Sequence, residues 1–244
     1  MKLWLAGGTV RDALLGLRVK KDLDFAVEGA ESFDHMEAVL MTEYGLKVWQ
    51  RRPEFVTLRG KATFGRNRFA GLVPDGRHDV DFTMCRAESM YSDGRHPDTV
   101  TPASLTVDLA RRDFTVNAVA VSEGGEWFDP FGGRNDAENR VLRCVGDPWE
   151  RFDEDPLRML RALRFTVCKQ LLPDVMLGRA LNDEALCNKL RTLPVERVRD
   201  EMHKAFHHDW LATAHACSCE FATLAHFVQV LFPDLWLRAT TEDK

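Results

Sequence analysis

Two aspartates stand two residues apart in the apolar run Asp22-Leu23-Asp24-Phe25-Ala26-Val27. In a strand, side chains alternate, so Asp22 and Asp24 share a face. Like charges that close repel one another, and a bound divalent cation is the usual reason for keeping both ionised. Hard oxygen donors favour Mg²⁺, with Mn²⁺ as a substitute, and these ions also bind substrate phosphates. The pattern recurs in His78-Asp79-Val80-Asp81-Phe82-Thr83-Met84-Cys85-Arg86. Transfer chemistry on two metal ions needs a third carboxylate near the first pair. Alternation alone puts Asp79 and Asp81 on one face and leaves both as candidates.

Other stretches carry groups suited to phosphates. Gly7-Gly8-Thr9-Val10-Arg11-Asp12 precedes the aspartate pair by about ten residues. Paired glycines let backbone N–H groups approach a ligand, and a helix start behind them favours an anion. Arg11 adds a fork that fits phosphate oxygens. In Leu109-Ala110-Arg111-Arg112-Asp113-Phe114-Thr115-Val116-Asn117-Ala118-Val119-Ala120, two arginines stand beside an acid and an amide. Read as a helix, that stretch brings Asp113 and Asn117 to one face. A third cationic group, Arg158, Arg161 and Arg164, follows Asp153-Glu154-Asp155-Pro156 at three-residue spacing. Asp155 suits an N-cap and Pro156 the first position of a helix running to Phe165.

The elements that must hold these groups are legible in outline. Residues 3–6 read as a short apolar strand, and 31–45 as an amphipathic helix with Phe33, Met36, Val39 and Leu40 as its apolar stripe. Lys47-Val48-Trp49 and Phe55-Val56-Thr57-Leu58 read as strands. Tyr91-Ser92-Asp93-Gly94-Arg95-His96-Pro97 is rich in turn formers and reads as a mobile loop. Pro194-Val195-Glu196-Arg197-Val198-Arg199-Asp200-Glu201-Met202 reads as a charged helix.

The chain has 244 residues, a net charge of −5 and 45% hydrophobic residues, enough for a sizeable core. The overall charge gives no sign of nucleic-acid binding, so any such site must be local. Basic clusters do occur: Arg18, Lys20 and Lys21; Arg51 and Arg52; Arg59, Lys61, Arg66 and Arg68; and the arginines already named. Six cysteines lack metal-site spacing and read as reduced thiols of a cytoplasmic protein. The first apolar run is too short for a signal peptide. No run approaches the roughly 18 apolar residues of a membrane span, so no membrane association is expected. The oligomeric state stays open.

Gly7-Gly8-x-Val10-Arg11-Asp12 followed by Asp22-x-Asp24-Phe25 resembles the head of class II tRNA nucleotidyltransferases (CCA-adding enzymes) and bacterial poly(A) polymerases, within the DNA polymerase beta superfamily. Arg111-Arg112-Asp113-Phe114-Thr115-x-Asn117-Ala118 is similar to the nucleotide-binding motif of that family. Asp129-Pro130-Phe131-Gly132-Gly133 resembles its head-closing turn, Glu154-Asp155-x-x-Arg158 its base-reading motif, and residues 194–202 its neck helix. Phe55-Val56-Thr57 departs from the family's Phe-Gly-Thr.

The resemblance covers about residues 3–204 and implies an α/β nucleotidyltransferase head, a mixed sheet with flanking helices, over 1–140. An all-α neck and short helical region would follow over 141–244. It implies Asp22, Asp24 and Asp81 as catalytic ligands of two Mg²⁺ ions. Gly7, Gly8 and Arg11 would bind phosphate, and Arg111, Arg112, Asp113 and Asn117 would seat the nucleotide. Glu154, Asp155 and Arg158 would read the base, with Arg161 and Arg164 beside them. CTP and ATP would be the substrates, and the tRNA 3′ end the acceptor. Poly(A) synthesis, addition of C or A alone, and a silent nucleotide- or RNA-binding module are the alternatives.

Overall fold

The computed structural model describes residues 1–18, 22–66, 68–89 and 99–237. Lys20, Lys21 and the Tyr91–Pro97 loop lie outside the described residues. The described chain forms two compact units, residues 1–89 with 99–139, and residues 140–237.

The first unit begins β1 (Lys2–Ala6), α1 (Gly8–Leu14), β2 (Asp22–Glu28), α2 (Phe33–Tyr44), β3 (Lys47–Arg52), β4 (Thr57–Phe64) and β5 (Gly76–Met84). A hairpin of β6 (Arg86–Ser89) and β7 (Thr99–Pro102) follows. It ends with α3 (Leu105–Ala110), β8 (Ala120–Ser122), β9 (Trp127–Phe128) and α4 (Gly133–Glu138). Seven strands make one mixed sheet in the order β3-β4-β5-β2-β1-β8-β9, in which only β2 and β5 run parallel.

Alternation divides these strands into a core face and a polar face. Leu23, Phe25 and Val27 of β2, and Val80, Phe82 and Met84 of β5, are buried in one apolar cluster. The Phe25 ring centre lies 5.1 Å from that of Phe64 and 5.0 Å from that of Phe82. α2 adds Met36, Leu40 and Tyr44 to that cluster. Its start is capped by Ser32, whose hydroxyl accepts from His35 N–H, and Gly45 ends it at φ 57°. Burying each phenylalanine contributes about 1.5–3 kcal/mol. A one-residue slip of β2 would replace them in the core with Asp22 and Asp24, so the register is firmly set.

The structure departs from two local expectations. Residues 109–120 are not one helix: α3 stops at Ala110, a 3₁₀ turn spans Thr115–Asn117, and β8 begins at Ala120. Asp113 Oδ1 accepts from Phe114 N–H at 2.8 Å, an alternative to helical pairing, and β-branched Thr115, Val116 and Val119 favour extended packing. Likewise, Phe55 and Val56 are not strand. Pro53–Phe55 forms a 3₁₀ turn, and Val56 sits at φ 44°, ψ 41° before β4 starts. This left-handed conformation costs a β-branched residue about 1–2 kcal/mol. It lies where the family pattern carries glycine.

The second unit contains β10 (Val141–Leu142), α5 (Pro148–Glu154), α6 (Leu157–Lys169), β11 (Leu172–Pro173), α7 (Val175–Leu181) and α8 (Glu184–Asn188). It continues through α9 (Val195–His208), α10 (Trp210–Ser218), α11 (Ala222–Leu231) and α12 (Asp234–Leu237). β10 and β11 form only a two-residue ladder. α6 buries Leu157, Met159, Leu160, Leu163, Phe165 and Val167, and packs against α9 and α10. Aspartates cap four of these helices: Asp147, Asp174, Asp183 and Asp209 accept from backbone N–H groups two or three residues inside. Asp153 and Glu154 belong to the end of α5, and α6 starts at Leu157, one residue after the expected Pro156. Pro156 forces the break, and Asp155 Oδ1 accepts from Leu157 N–H at 3.0 Å. Among the described residues, no helix is long and apolar enough to cross a membrane.

Candidate active site

The polar face of the sheet gathers the acidic residues. In the parallel register, Asp22 lies opposite Asp79 and Asp24 opposite Asp81. Asp24 and Asp81 are both pushed above the usual carboxylate range, first by burial. For Asp24 the charge of Asp81 is the next cause, with Asp22 adding to it and Arg112 opposing it. For Asp81, Arg59 is the principal opposing charge, with its Nε 2.8 Å from Asp81 Oδ2. Asp79 is engaged instead by Lys61, whose Nζ is 3.5 Å away.

The glycine turn enters this face beside Asp24. Gly7 adopts φ 77°, and a Cβ there would stand 3.2 Å from Arg112 Nη1 and 3.7 Å from Asp24 Oδ2. Glycine therefore allows Arg112 to come close to the carboxylate. Gly8 starts α1, and a Cβ on it would meet Arg11 Nη2 at 3.6 Å.

Arg11 turns inward rather than to the surface. It is buried, donates to Asp12 Oδ1 through Nε at 2.8 Å, and donates to Asn117 Oδ1 through Nη1 at 2.9 Å. Asn117 Nδ2 donates in turn to Asp113 Oδ1 at 2.7 Å. The four-residue spacing thus brings Asp113 and Asn117 together through a tight turn rather than a helix. Arg111 and Arg112 share a buried partner, Asp108, with contacts of 2.8 Å and 3.3 Å. Those two guanidinium groups hold the Asp108 carboxyl below its usual range despite burial. Arg112 also donates to the Asn117 carbonyl at 3.0 Å.

Asp108 was not among the expected site residues, and Arg59 was expected only as part of a basic cluster. Asp108 stands three and four residues before the arginines, a spacing that could have revealed it. Arg59 faces Asp81 only through the β4–β5 register, which no local pattern supplies.

In the second unit, Arg158 is buried and donates to Glu154 Oε2 at 2.8 Å and to the Arg151 carbonyl at 3.1 Å. Asp155 lies 3.8 Å from Arg197. Arg164 Nε donates to Glu201 Oε2 at 2.5 Å and its guanidinium lies over the Phe165 ring, 4.5 Å from the centroid. Arg161 lies over the same ring at 5.5 Å. The expected cationic stripe is therefore largely knitted into its own unit.

Among the described residues, no three acidic, histidine or cysteine side chains converge on one point. Asp24 and Asp81 nonetheless fit a hard divalent cation. They offer oxygen donors across one strand gap, and a bound cation would relieve the burial and repulsion that raise both pKa values.

The sequence matches the family model "Poly A polymerase head domain" over residues 3–143. The chain belongs to this family. It is 34% identical over 205 residues to the CCA-adding enzyme of Levilactobacillus brevis, spanning 82% of this chain and 45% of that one. It is 42% identical over 130 residues to the CCA-adding enzyme of Lactobacillus helveticus, spanning 53% and 32%. Among solved structures, the fold resembles the Bacillus stearothermophilus CCA-adding enzyme in complex with CTP. The TM-score is 0.70 at 28% identity, covering 90% of this chain and 48% of that one. It also resembles a tRNA nucleotidyltransferase complexed with a primer tRNA and an incoming ATP analog, with TM-score 0.68, 30% identity and coverage of 95% and 59%. The first unit is thus an α/β nucleotidyltransferase head of this family, and helical structure follows it. The chain spans about half the length of the curated relatives it matches.

Proposed function

We propose that this chain adds C and A residues to the 3′ end of tRNA, using CTP and ATP and releasing pyrophosphate. The observation that carries this reading is the opposition of Asp24 and Asp81 across β2 and β5, with Gly7 and Arg112 at its edge. In the reaction, the RNA 3′-hydroxyl attacks the α-phosphorus, the bond to the pyrophosphate oxygen breaks, and the hydroxyl proton is released. Asp22, Asp24 and Asp81 would hold Mg²⁺, which would lower the hydroxyl pKa and offset triphosphate charge. Asp81 is preferred to Asp79 because it faces Asp24, whereas Asp79 faces Asp22 and has Lys61 beside it.

The protein's other groups have separable roles. Gly7 and Gly8 let backbone N–H groups approach phosphate oxygens, and Arg111 and Arg112 offset their charge. Arg11 holds Asn117 and Asp113 in the turn that seats the ribose. In the helical unit, Glu154, Asp155 and Arg158 read the base, with Arg161 and Arg164 beside them. Cytosine and adenine each present an amino donor beside a ring-nitrogen acceptor. A carboxylate accepts from the first and a guanidinium donates to the second. Uracil and guanine reverse both contacts, and an unpaired buried polar group costs about 1–3 kcal/mol. The relatives named as CCA-adding enzymes, and the complexes with CTP and with primer tRNA, support this reading.

The family model's own description favours a second reading, addition of A alone. A tRNA transcript ending at the discriminator base separates them when incubated with Mg²⁺ and each nucleotide, singly and together. Growth by C, C and A with termination is the expected result. A long A ladder would establish poly(A) synthesis, and a single kind of added nucleotide a partial-specificity transferase. Absence of product with every nucleotide would overturn both readings.

A further inference from the structure

The end of α9 carries histidines used by neither the sheet face nor the arginine network. His203 and His207 are four residues apart, both exposed, on one face of the helix. Their ring centroids are 5.6 Å apart, with the planes at 74°. Two imidazoles bound to one tetrahedral ion at about 2.1 Å have ring centres about 5 Å apart. The observed centroid separation is close to that value. Histidines at this helical spacing are a known way to chelate zinc.

We propose that His203 and His207 form a surface site for a late first-row divalent ion, Zn²⁺ being the best fit. Each imidazole supplies one ligand, and water completes the shell. Imidazole selects Zn²⁺, Cu²⁺ or Ni²⁺, whereas the carboxylates of the sheet face are hard donors for Mg²⁺. The two sites thus differ in ligand chemistry and are carried by different units of the chain.

The surrounding charges are compatible with a cation. Asp200 lies on the same helical stripe, one turn before His203, and is exposed. Arg199 is also exposed one turn before, and Lys204 is adjacent, but Lys204 Nζ is drawn toward Glu201 Oε1 at 3.5 Å. α10, which packs on α9, carries a competing pair: His215 Nδ1 is 3.9 Å from Cys219 Sγ.

The test is calorimetric titration of the full chain with Zn²⁺ in saturating Mg²⁺, with Cu²⁺ electron paramagnetic resonance to count nitrogen ligands. One equivalent is expected to bind, with two nitrogens on Cu²⁺. Binding is expected to be lost in His203→Ala and in His207→Ala. It is expected to persist in His208→Ala, Cys219→Ser and Asp24→Asn. Both histidines are exposed, so circular dichroism should show unchanged helix content in the variants. Binding that survives the double variant His203→Ala/His207→Ala would overturn the assignment. So would binding lost with Cys219→Ser instead, or no binding by the parent chain.

Discussion

The acidic face of the sheet and the arginine-rich core of the helical unit treat charge in opposite ways. On the sheet, Asp24 and Asp81 face each other, and burial and repulsion raise both pKa values. In the helical unit, Arg158 has Glu154, Arg164 has Glu201, and Asp155 has Arg197. The first arrangement is costly without an added cation and ready to receive one. The second closes its charges internally and offers a rigid set of hydrogen-bond groups. A transferase needs both: unspent negative charge where metal and phosphate meet, and a fixed template where a base is read.

The largest expected effect lies on the sheet. Asp24→Ala should lower nucleotide incorporation by about 10²–10³-fold, the scale of losing an electrostatic interaction made in the transition state. Its thermal midpoint should be unchanged or higher, because the variant removes repulsion. A large fall in that midpoint would mean that Asp24 is structural. In the helical unit, the balance should reverse. Glu201→Ala leaves the half-buried Arg164 without its carboxylate and should cost about 1.5–3 kcal/mol in urea unfolding. A cost near zero would show that this network is not closed as described.

Smaller effects probe backbone and protonation. Val56→Gly should leave stability within about 1 kcal/mol of the parent, because relief of the left-handed strain offsets the lost side chain. Val48→Gly, a β3 position outside the left-handed region, should cost clearly more, and equal losses would mean that Val56 is not strained. For pH, a raised carboxyl pKa makes the folded state less stable as pH rises through it. Asp24→Asn should therefore gain stability over the parent at pH 7, with the gain shrinking as pH falls through the raised pKa of Asp24. Asp108 has the opposite sign: its contribution is present at neutral pH and lost only under acid conditions.

Much of the sheet site could be read from the sequence because it depends on local rules. Alternation alone put Asp22 with Asp24, and Gly7-Gly8 marked the turn before them. Alternation left Asp79 and Asp81 open and the family resemblance singled out Asp81; the physical ground for that preference, the register of β2 on β5 and the partners Arg59 and Lys61, comes from distant strands. Residues 109–120 were misjudged because four-residue spacing brings Asp113 to Asn117 in a tight turn as well as in a helix. The arginine run of α6 was visible as a pattern, but its closure was not. Glu201 lies 37 residues beyond Arg164, and only the packing of α9 on α6 joins them.

The most direct test is single-turnover addition of labelled CMP to a tRNA lacking its 3′ end, comparing the parent with Asp81→Asn and Asp79→Asn. The expected result is extension by the parent, extension within a few-fold by Asp79→Asn, and almost none by Asp81→Asn. Full extension by Asp81→Asn, or no extension by the parent, would contradict it.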